Sequence, residues 1–344
     1  MTSTLGALDE GLALDVLLRD GSIAQVRLVT EADRDQLMAL NARVSVRTRY
    51  MRYFSVSDHP GAWYVDRILS SAQSGSALVA VINEEIVALA SFARLERDSS
   101  SADLALLVDD AHQVHGLGAL LLEHLAALGR HHGVQAFTAD VLSENTRMLG
   151  MLRSSGFTVT SLGHDSIAQL QVDLAEIPTV WEAVDRRDRE AERASLKPLL
   201  QPASIALVGS ARKASIASLI YDSLRRSDFT GRLDRLDRHA RLTELPQVPD
   251  LVVVAVPSDD VLSVARDAAA CGAHGLVVIS AGFAESGPAG RARQAELLQI
   301  CRGAGMRLTG PNCLGSVNTD PAVPLNPTFC DARPRPGSVA VVER

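Results

Sequence analysis

The residues best suited to chemistry in this 344-residue sequence form a short turn with two glycines, residues 113–119. A stretch typical of a strand, residues 104–108, precedes the turn, and a helix with a stripe of leucines follows it. Backbone N–H groups at a helix start have no acceptor within the helix and lie at the positive end of its dipole, so they suit a pyrophosphate. The turn therefore predicts a site for a phosphate-bearing cofactor, and an ordinary glycine-containing strand-to-helix turn is the alternative.

A second strand and helix follow. Residues 136–142 are predicted to form a strand, and the segment from Glu144 carries apolar residues at helical spacing. Gly156 comes after this helix, where glycine is favoured because it readily adopts the left-handed backbone that ends helices. This order of elements places the glycine turn at the edge of a sheet, where it can face a ligand.

The spacing of these residues resembles the Gcn5-related N-acetyltransferase (GNAT) family over about residues 20–175. Residues 26–33 and 49–54 resemble its bacterial protein-lysine acetyltransferase branch. The resemblance implies an α/β fold of the GNAT type, with a mixed, mostly antiparallel sheet and helices, and acetyl-CoA as the co-substrate. The residues that carry it are Gln113, Gly116, Gly118, Asn145, Met148, Gly156 and Phe157.

Acyl transfer to a lysine requires the neutral amine, whereas the pKa of lysine is about 10.4, well above neutral pH. In the family that this sequence resembles, a glutamate in an Ala-Glu-Phe-Ala context acts as the general base. The matching carboxylate here is Asp103, in Ala102-Asp103-Leu104-Ala105. Its side chain is shorter by about 1 to 1.5 Å, a misplacement that can cost about a hundredfold in rate unless a water relays the proton. The alternative is a surface carboxylate in an inactive homologue.

The resemblance also implies which residues hold the cofactor. Backbone N–H groups near Leu106 and Val108 would stabilise the developing oxyanion. Amides around Gly116 and Gly118 would hold the pyrophosphate, each hydrogen bond contributing about 1.5 to 3 kcal/mol. The predicted cofactor-binding residues are Leu106, Leu107, Val108, Gln113, Val114, His115, Gly116, Leu117, Gly118, Ala119, Asn145 and Met148.

Two polar residues near the second helix have open roles. Asn145 would bind the pantetheine arm by resemblance, and it is equally suited to cap its own helix. Residues 145–157 contain no tyrosine that could protonate the leaving thiolate. Ser143 or a water molecule would take that role.

Composition excludes several classes of function. The net charge of −7 at pH 7 argues against a nucleic-acid surface. No apolar run approaches the roughly 20 residues that span a bilayer, so we expect a cytoplasmic protein without a membrane partner. The four cysteines have no metal-ligand spacing and all lie after residue 270, so we expect reduced thiols and no metal site.

The length predicts two domains. We assign residues 1–180 to the GNAT domain, residues 181–202 to an exposed, charged linker helix closed by Pro198 and Pro202, and residues 203–344 to a second domain. Strands and helices alternate from Ser204 onward, and the strands are nearly continuous runs of Val, Ile and Leu. This pattern predicts a Rossmann-like parallel sheet covered by helices, with ligands beyond the carboxyl ends of its strands.

The second domain also resembles a known group. Residues 279–287, 310–315 and 325–329 resemble the CoA-binding domain of NDP-forming acyl-CoA synthetases over about residues 195–344. Residues 338–344 resemble the first strand of a further synthetase domain, and we expect an incomplete ligase whose second domain is regulatory or structural.

The phosphate turn of the second domain departs from that resemblance. The family has glycines where this sequence has Ala214 and Ala217, and alanine resists the positive φ that glycine allows. We expect each added methyl group to stand where a phosphate would approach, which argues against CoA binding there. The candidate ligand residues of this domain are Gly209, Ser210, Ser280, Gly282, Pro311 and Asn312.

The sequence thus predicts an acetyl-CoA-dependent N-acetyltransferase that acts on a lysine of a protein. The resemblance to acetyltransferases fused to synthetase-like domains implies an AMP-forming acyl-CoA synthetase as the target. Transfer should be direct, because residues 1–180 contain no cysteine. A small-molecule amine acetyltransferase and a weak or inactive CoA- or metabolite-sensing regulator are the alternatives. The oligomeric state stays open.

Overall fold

The structure, a computed structural model, describes residues 13–55, 57, 59–70, 76–96, 98–163, 166–330 and 334–337. The chain divides into two compact units, Met1–Glu192 and Arg193–Arg344. The predicted strand at residues 338–344 lies outside the described residues. Among the described residues no helix is both long and apolar enough to cross a membrane.

Within the described residues, the N-terminal unit is built on an eight-stranded sheet of order β1-β2-β3-β4-β5-β6-β8-β7. Its neighbouring strands are antiparallel, except that β5 and β6 run parallel. The strands are β1 (Leu14–Leu17), β2 (Ile23–Leu28), β3 (Ala77–Ile82), β4 (Glu85–Leu95), β5 (Asp98–Val108), β6 (Ala136–Leu142), β7 (Val159–Ser161) and β8 (Ile167–Asp173).

Helices cover both faces of this sheet because successive strand residues point to opposite sides. On β5, Leu104 joins the core that contains the leucines of the helix after the glycine turn, whereas Ala105 and Leu107 join the core beneath the first helices. The helices of this unit are α1 (Arg34–Arg43), α2 (Val46–Tyr53), α3 (His59–Ser70), α4 (Leu117–His131) and α5 (Thr146–Ser154).

The C-terminal unit is a parallel sheet of order β10-β9-β11-β12-β13. Central strands such as Leu251–Ala255 are buried, which explains their continuous apolar sequences. The predicted fold class is therefore confirmed for both units. The elements are β9 (Ser204–Gly209), β10 (Arg232–Leu236), β11 (Leu251–Ala255), β12 (Gly275–Val278), β13 (Arg307–Thr309) and the helices α7 (Ile216–Arg226), α8 (Ser258–Cys271) and α9 (Pro288–Gly303).

The predicted linker helix differs from the helix observed. Helix α6 spans Pro178–Leu200 and contains Pro198, so this proline does not close it. Nor is the helix simply exposed, since Val180 and Ala191 are buried and the side chain of Arg187 is only 9% exposed. The prediction failed because the charges of residues 185–193 concealed an amphipathic pattern.

Candidate functional site

The parallel strands β5 and β6 diverge at the middle of the N-terminal sheet. They pair only from Ser101 with Ala136 to Asp103 with Thr138. Beyond this point β6 continues beside β8 as far as Leu142. In the part of the chain that the structure describes, the backbone of residues 104–108 therefore has no partner strand on that edge. Of the predicted residues here, Leu106 and Val108 direct their backbone groups to this open edge, whereas those of Leu107 face β4. The carbonyl of Val108 accepts from the side chain of Gln113, so the amides of Leu106 and Val108 are the donors on this edge.

The glycine turn follows β5 and leads into α4. Gly116 is the N-cap of α4, with φ +92°, and Val114 also has a positive φ of +70°. Such a backbone is costly for valine, and strained residues of this kind are common at ligand-binding sites. Val114 is 71% exposed, so its side chain makes little packing contribution that would offset the strain.

The start of α4 presents unused hydrogen-bond donors. The helical ladder begins where the amide of Leu120 donates to the carbonyl of Gly116 at 3.1 Å. Within the described residues, the amides of 116–119 have no acceptor. A Cβ placed on Gly118 would meet no protein atom within 4 Å, so the protein itself does not require glycine there. These amides and this space fit a diphosphate, since helix starts bind anions.

Side chains from α2 and α5 hold the turn in place. Gln113 donates through Nε2 to the carbonyl of Val108 at 3.1 Å and to Oγ1 of Thr48 at 3.2 Å, and it accepts from Arg147. The side chain of Gln113 is thus fully engaged within the protein. It positions the turn, whereas its backbone remains available to a ligand.

A carboxylate pair fastens the start of the same loop. Asp109 accepts from Arg43, and Asp110 accepts from the Ser45 amide at 2.6 Å and from Thr48 Oγ1 at 2.6 Å. Burial acts to raise the pKa of Asp110, but hydrogen bonds from Thr48 and Ser45 outweigh it and leave the pKa below its ordinary value. The loop between β5 and α4 is therefore preorganised by hydrogen bonds to these two side chains.

Helix α4 is anchored from the other side by α6. Glu123 forms an ion pair with Arg187, and both side chains are nearly buried. Burial raises the pKa of Glu123 to about 7, although the charge of Arg187 acts to lower it. The Cδ of Arg187 lies 4.0 Å from the position of a Cβ on Gly116. This pair thus lies beneath the turn and fixes the start of α4.

Asp103 lies at the last paired position before the strands diverge, with its side chain exposed. The protein around it removes part of its hydration, which raises its pKa above the ordinary value. The charge of Asp140 raises that pKa further, whereas Arg52 and Arg67 lower it. A raised pKa makes the carboxylate a better proton acceptor near neutral pH.

The residues after β6 are placed as follows. Asn145 caps α5, its Oδ1 accepting from the Met148 amide at 3.1 Å, so the capping alternative is observed. The Nδ2 of Asn145 has no acceptor among the described residues and remains able to bind a pantetheine arm. Ser143 is exposed at the end of β6, and its amide donates to the carbonyl of Ser166 at 3.0 Å.

In the C-terminal unit, the predicted ligand residues follow the carboxyl ends of neighbouring parallel strands. Gly209 ends β9, Ser280 follows β12, and the cis bond between Gly310 and Pro311 follows β13. The amide of Asn312 donates to the carbonyl of Ser280 at 3.0 Å. Several polar atoms of these residues are thus hydrogen-bonded within the protein. The remaining candidates, Ser210 and Gly282, lie in the loops after β9 and β12.

The two alanines of the phosphate turn behave differently from each other. Ala214 has φ +63°, so this position needs the left-handed backbone that glycine adopts most easily. Ala217 is only 1% exposed, and its Cβ lies 2.6 Å from the position of a Cβ on Gly209. The methyl group of Ala217 therefore packs inside the protein. The expectation that it obstructs a phosphate was wrong.

Comparisons with known proteins agree with these two units. Residues 43–157 match the acetyltransferase (GNAT) family, and residues 203–319 match the CoA binding domain family. The chain therefore contains a GNAT acetyltransferase domain followed by a CoA-binding-type domain. This confirms the two resemblances found in the sequence.

Individual relatives match parts of the chain. The acetyltransferase Pat of Mycolicibacterium smegmatis is 27% identical over 173 residues, which are 48% of this chain and 50% of Pat. An ADP-forming acetate–CoA ligase of Archaeoglobus fulgidus is 29% identical over 160 residues, 43% of this chain and 23% of the ligase. The GNAT domain of S. lividans PAT, a solved structure, is 32% identical with a TM-score of 0.44, and the match covers 47% of this chain and 96% of that domain. The chain thus spans half of Pat and about a quarter of the ligase.

Sequence reasoning missed four residues of the site. Thr48 and Asp110 fasten the glycine turn, while Arg52 and Asp140 act on Asp103. A usable signal existed for Asp140, because Thr138 and Asp140 alternate with apolar residues along β6. Arg52 lies within the family-like residues 49–54, but nothing in the local sequence indicates its contacts or those of Thr48, since these depend on how α2 packs.

Proposed function

We propose that the N-terminal unit is an acetyl-CoA-dependent N-acetyltransferase that transfers the acetyl group directly to a lysine of a protein. The observation that carries the proposal is the set of amides at 116–119 without acceptors, one loop after the strand that bears Asp103. The match of residues 43–157 to the GNAT family supports it.

The residues present fit acetyl-CoA. The free amides of 116–119 match the negative charge of a diphosphate, and the open space at Gly118 lets that group approach the backbone. Acetyl-CoA supplies an activated acetyl thioester. The open edge of β5, at residues 104–108, offers backbone donors for the acetyl carbonyl.

Asp103 acts as the general base in this proposal. It accepts a proton from the lysine ammonium, directly or through one water, so that the nitrogen lone pair becomes available. Deprotonating a lysine at neutral pH costs roughly 4 to 5 kcal/mol. A base with a raised pKa lowers the cost of the proton transfer, because its pKa lies closer to that of the lysine. All four cysteines lie in the C-terminal unit, which supports direct transfer without an acetyl-cysteine.

The acceptor is proposed to be an AMP-forming acyl-CoA synthetase. This target rests on the resemblance to acetyltransferases fused to synthetase-like domains. The C-terminal unit, which matches a CoA binding domain, would then have a regulatory or structural role.

The test is transfer from acetyl-CoA to purified AMP-forming acetyl-CoA synthetase by the full chain, with mass spectrometry to locate the acetylated lysine. Asp103→Asn should abolish transfer, and Asp103→Glu, which restores the residue of the resembled family, should retain it. Transfer only to free amines would replace the protein substrate by a small molecule. Tight acetyl-CoA binding without turnover, unchanged by Asp103→Ala, would show a sensor instead.

A further inference from the structure

Asp140 lies beside Asp103 where β5 and β6 separate. Asp103 is paired with Thr138 in a parallel register, and Asp140 comes two residues later on the same strand. Side chains two residues apart share a face, so Asp140 lies on the face of Asp103. A strand spacing of about 4.8 Å and a rise of about 3.3 Å per residue separate their Cα atoms by about 8 Å. One ammonium group can therefore contact both carboxylates.

Neither carboxylate is used inside the protein. Asp103 and Asp140 are exposed, and among the described residues they form no hydrogen bond or ion pair. Arg52 is held over the rings of Tyr53 and Tyr64, its Cζ 4.9 and 4.3 Å from their centroids. Its Nε and Nη2 are buried without a hydrogen-bond partner, and within the described ranges of the chain no ion pair neutralises this guanidinium.

The charges around Asp103 indicate a role for Asp140. Arg52 on α2 and Arg67 on α3 both act electrostatically on Asp103. With Asp103 as the sole carboxylate, the guanidinium of Arg52 would offset its charge and leave little attraction for a protonated lysine. Asp140 supplies the second negative charge and restores attraction for a cation.

We propose that Asp140 binds the ammonium group of the acceptor and holds it against Asp103. This inference rests on the proposed function and names a residue that selects cationic acceptors. Asp140 contacts the ammonium group and takes no part in the proton transfer. One proton passes from the ammonium nitrogen to the Asp103 carboxylate, and the freed lone pair then attacks the acetyl carbonyl. As the nitrogen–carbon bond forms, the carbon–sulfur bond of acetyl-CoA breaks, and the second proton lost by the nitrogen goes to the departing CoA thiolate through water or Ser143.

The experiment measures steady-state kinetics of the full chain with N-α-acetyl-lysine methylamide as the acceptor probe. Asp140→Asn keeps an acceptor oxygen but removes the charge, so it should raise the KM for this amine about tenfold, with kcat changed less than threefold. The KM for acetyl-CoA should not change. The acid limb of the pH profile of kcat/KM should move to lower pH, because the negative charge that raises the pKa of Asp103 is gone. Asp140→Glu should restore the amine KM.

The control is Asp35→Asn, which removes an exposed carboxylate from α1 and should leave all these parameters unchanged. A second probe is the analogue with dimethyllysine, a cation that forms no stable amide. It should inhibit wild type at least fivefold more strongly than Asp140→Asn, whereas the neutral norleucine analogue should not distinguish them.

The outcomes separate the two proposals. An amine KM for Asp140→Asn within twofold of an active wild type overturns the role of Asp140 and leaves the acetyltransferase intact. Absence of acetyl transfer by wild type to any amine or protein overturns the proposed function, and this inference with it.

Discussion

Replacing Gly118 by alanine should change stability and cofactor affinity in opposite directions. Gly118 lies in the first turn of α4, and a Cβ there would meet no protein atom within 4 Å. The methyl group therefore neither packs nor clashes. The change in free energy of unfolding should follow helix propensity alone, a gain of about 1 kcal/mol.

The same methyl group would occupy the space through which a diphosphate approaches the amides. Losing one hydrogen bond to a charged group costs about 1.5 to 3 kcal/mol, so acetyl-CoA should bind about 10- to 150-fold more weakly to Gly118→Ala. Urea unfolding without ligand and isothermal titration with acetyl-CoA measure the two effects on the same preparation.

Gly150 provides a matched control. It also lies within a helix, α5, and a Cβ there would also meet no protein atom within 4 Å. Gly150→Ala should give a similar gain in stability and no change in acetyl-CoA affinity. The reasoning is refuted if Gly118→Ala binds acetyl-CoA as tightly as Gly150→Ala does.

Three further predictions concern other parts of the molecule. Arg187→Met should destabilise the protein by about 3 to 5 kcal/mol by leaving Glu123 buried and unpaired, and adding Glu123→Leu should recover most of the loss in urea unfolding. In wild type, burial raises the pKa of Glu123 to about 7 from 4.5. Its contribution to stability is therefore full below pH 4.5 and is lost as pH rises through 7. Glu123→Gln should flatten this pH dependence of the unfolding free energy, measured by denaturation from pH 4 to 8, and an unchanged slope would contradict the raised pKa of Glu123. Ala214→Gly should raise the thermal midpoint through relief of about 1 kcal/mol of left-handed strain, whereas a lower midpoint would show that the strain is absent.

The sequence predicted most elements of the fold because their apolar periodicity is strong. The strand Ala136–Leu142 was predicted with its observed bounds, and the predicted alternation of strands and helices from Ser204 onward is observed. Strand β10, Arg232–Leu236, escaped prediction because its charged residues are tolerated at the edge of the sheet. There Arg232 pairs with Asp234 at 2.8 Å, which keeps both charges near solvent.

The site was predictable only where the chemistry lies in local sequence. The glycine turn and Asp103 could be recognised from spacing and resemblance. Two features depend on contacts between distant segments: the hydrogen bonds by which Thr48 and Asp110 hold that turn, and the charges of Arg52 and Asp140 near Asp103. Such contacts leave no periodic signal, so the structure was needed to find them.

The central claim is that amides at the start of α4 hold the diphosphate of acetyl-CoA. Hydrogen exchange of the full chain, measured with and without acetyl-CoA, tests it most directly. We predict that acetyl-CoA slows exchange of the amides at 116–119, which have no acceptor within the described residues. Protection confined to residues 203–319, with 116–119 unchanged, would contradict the account.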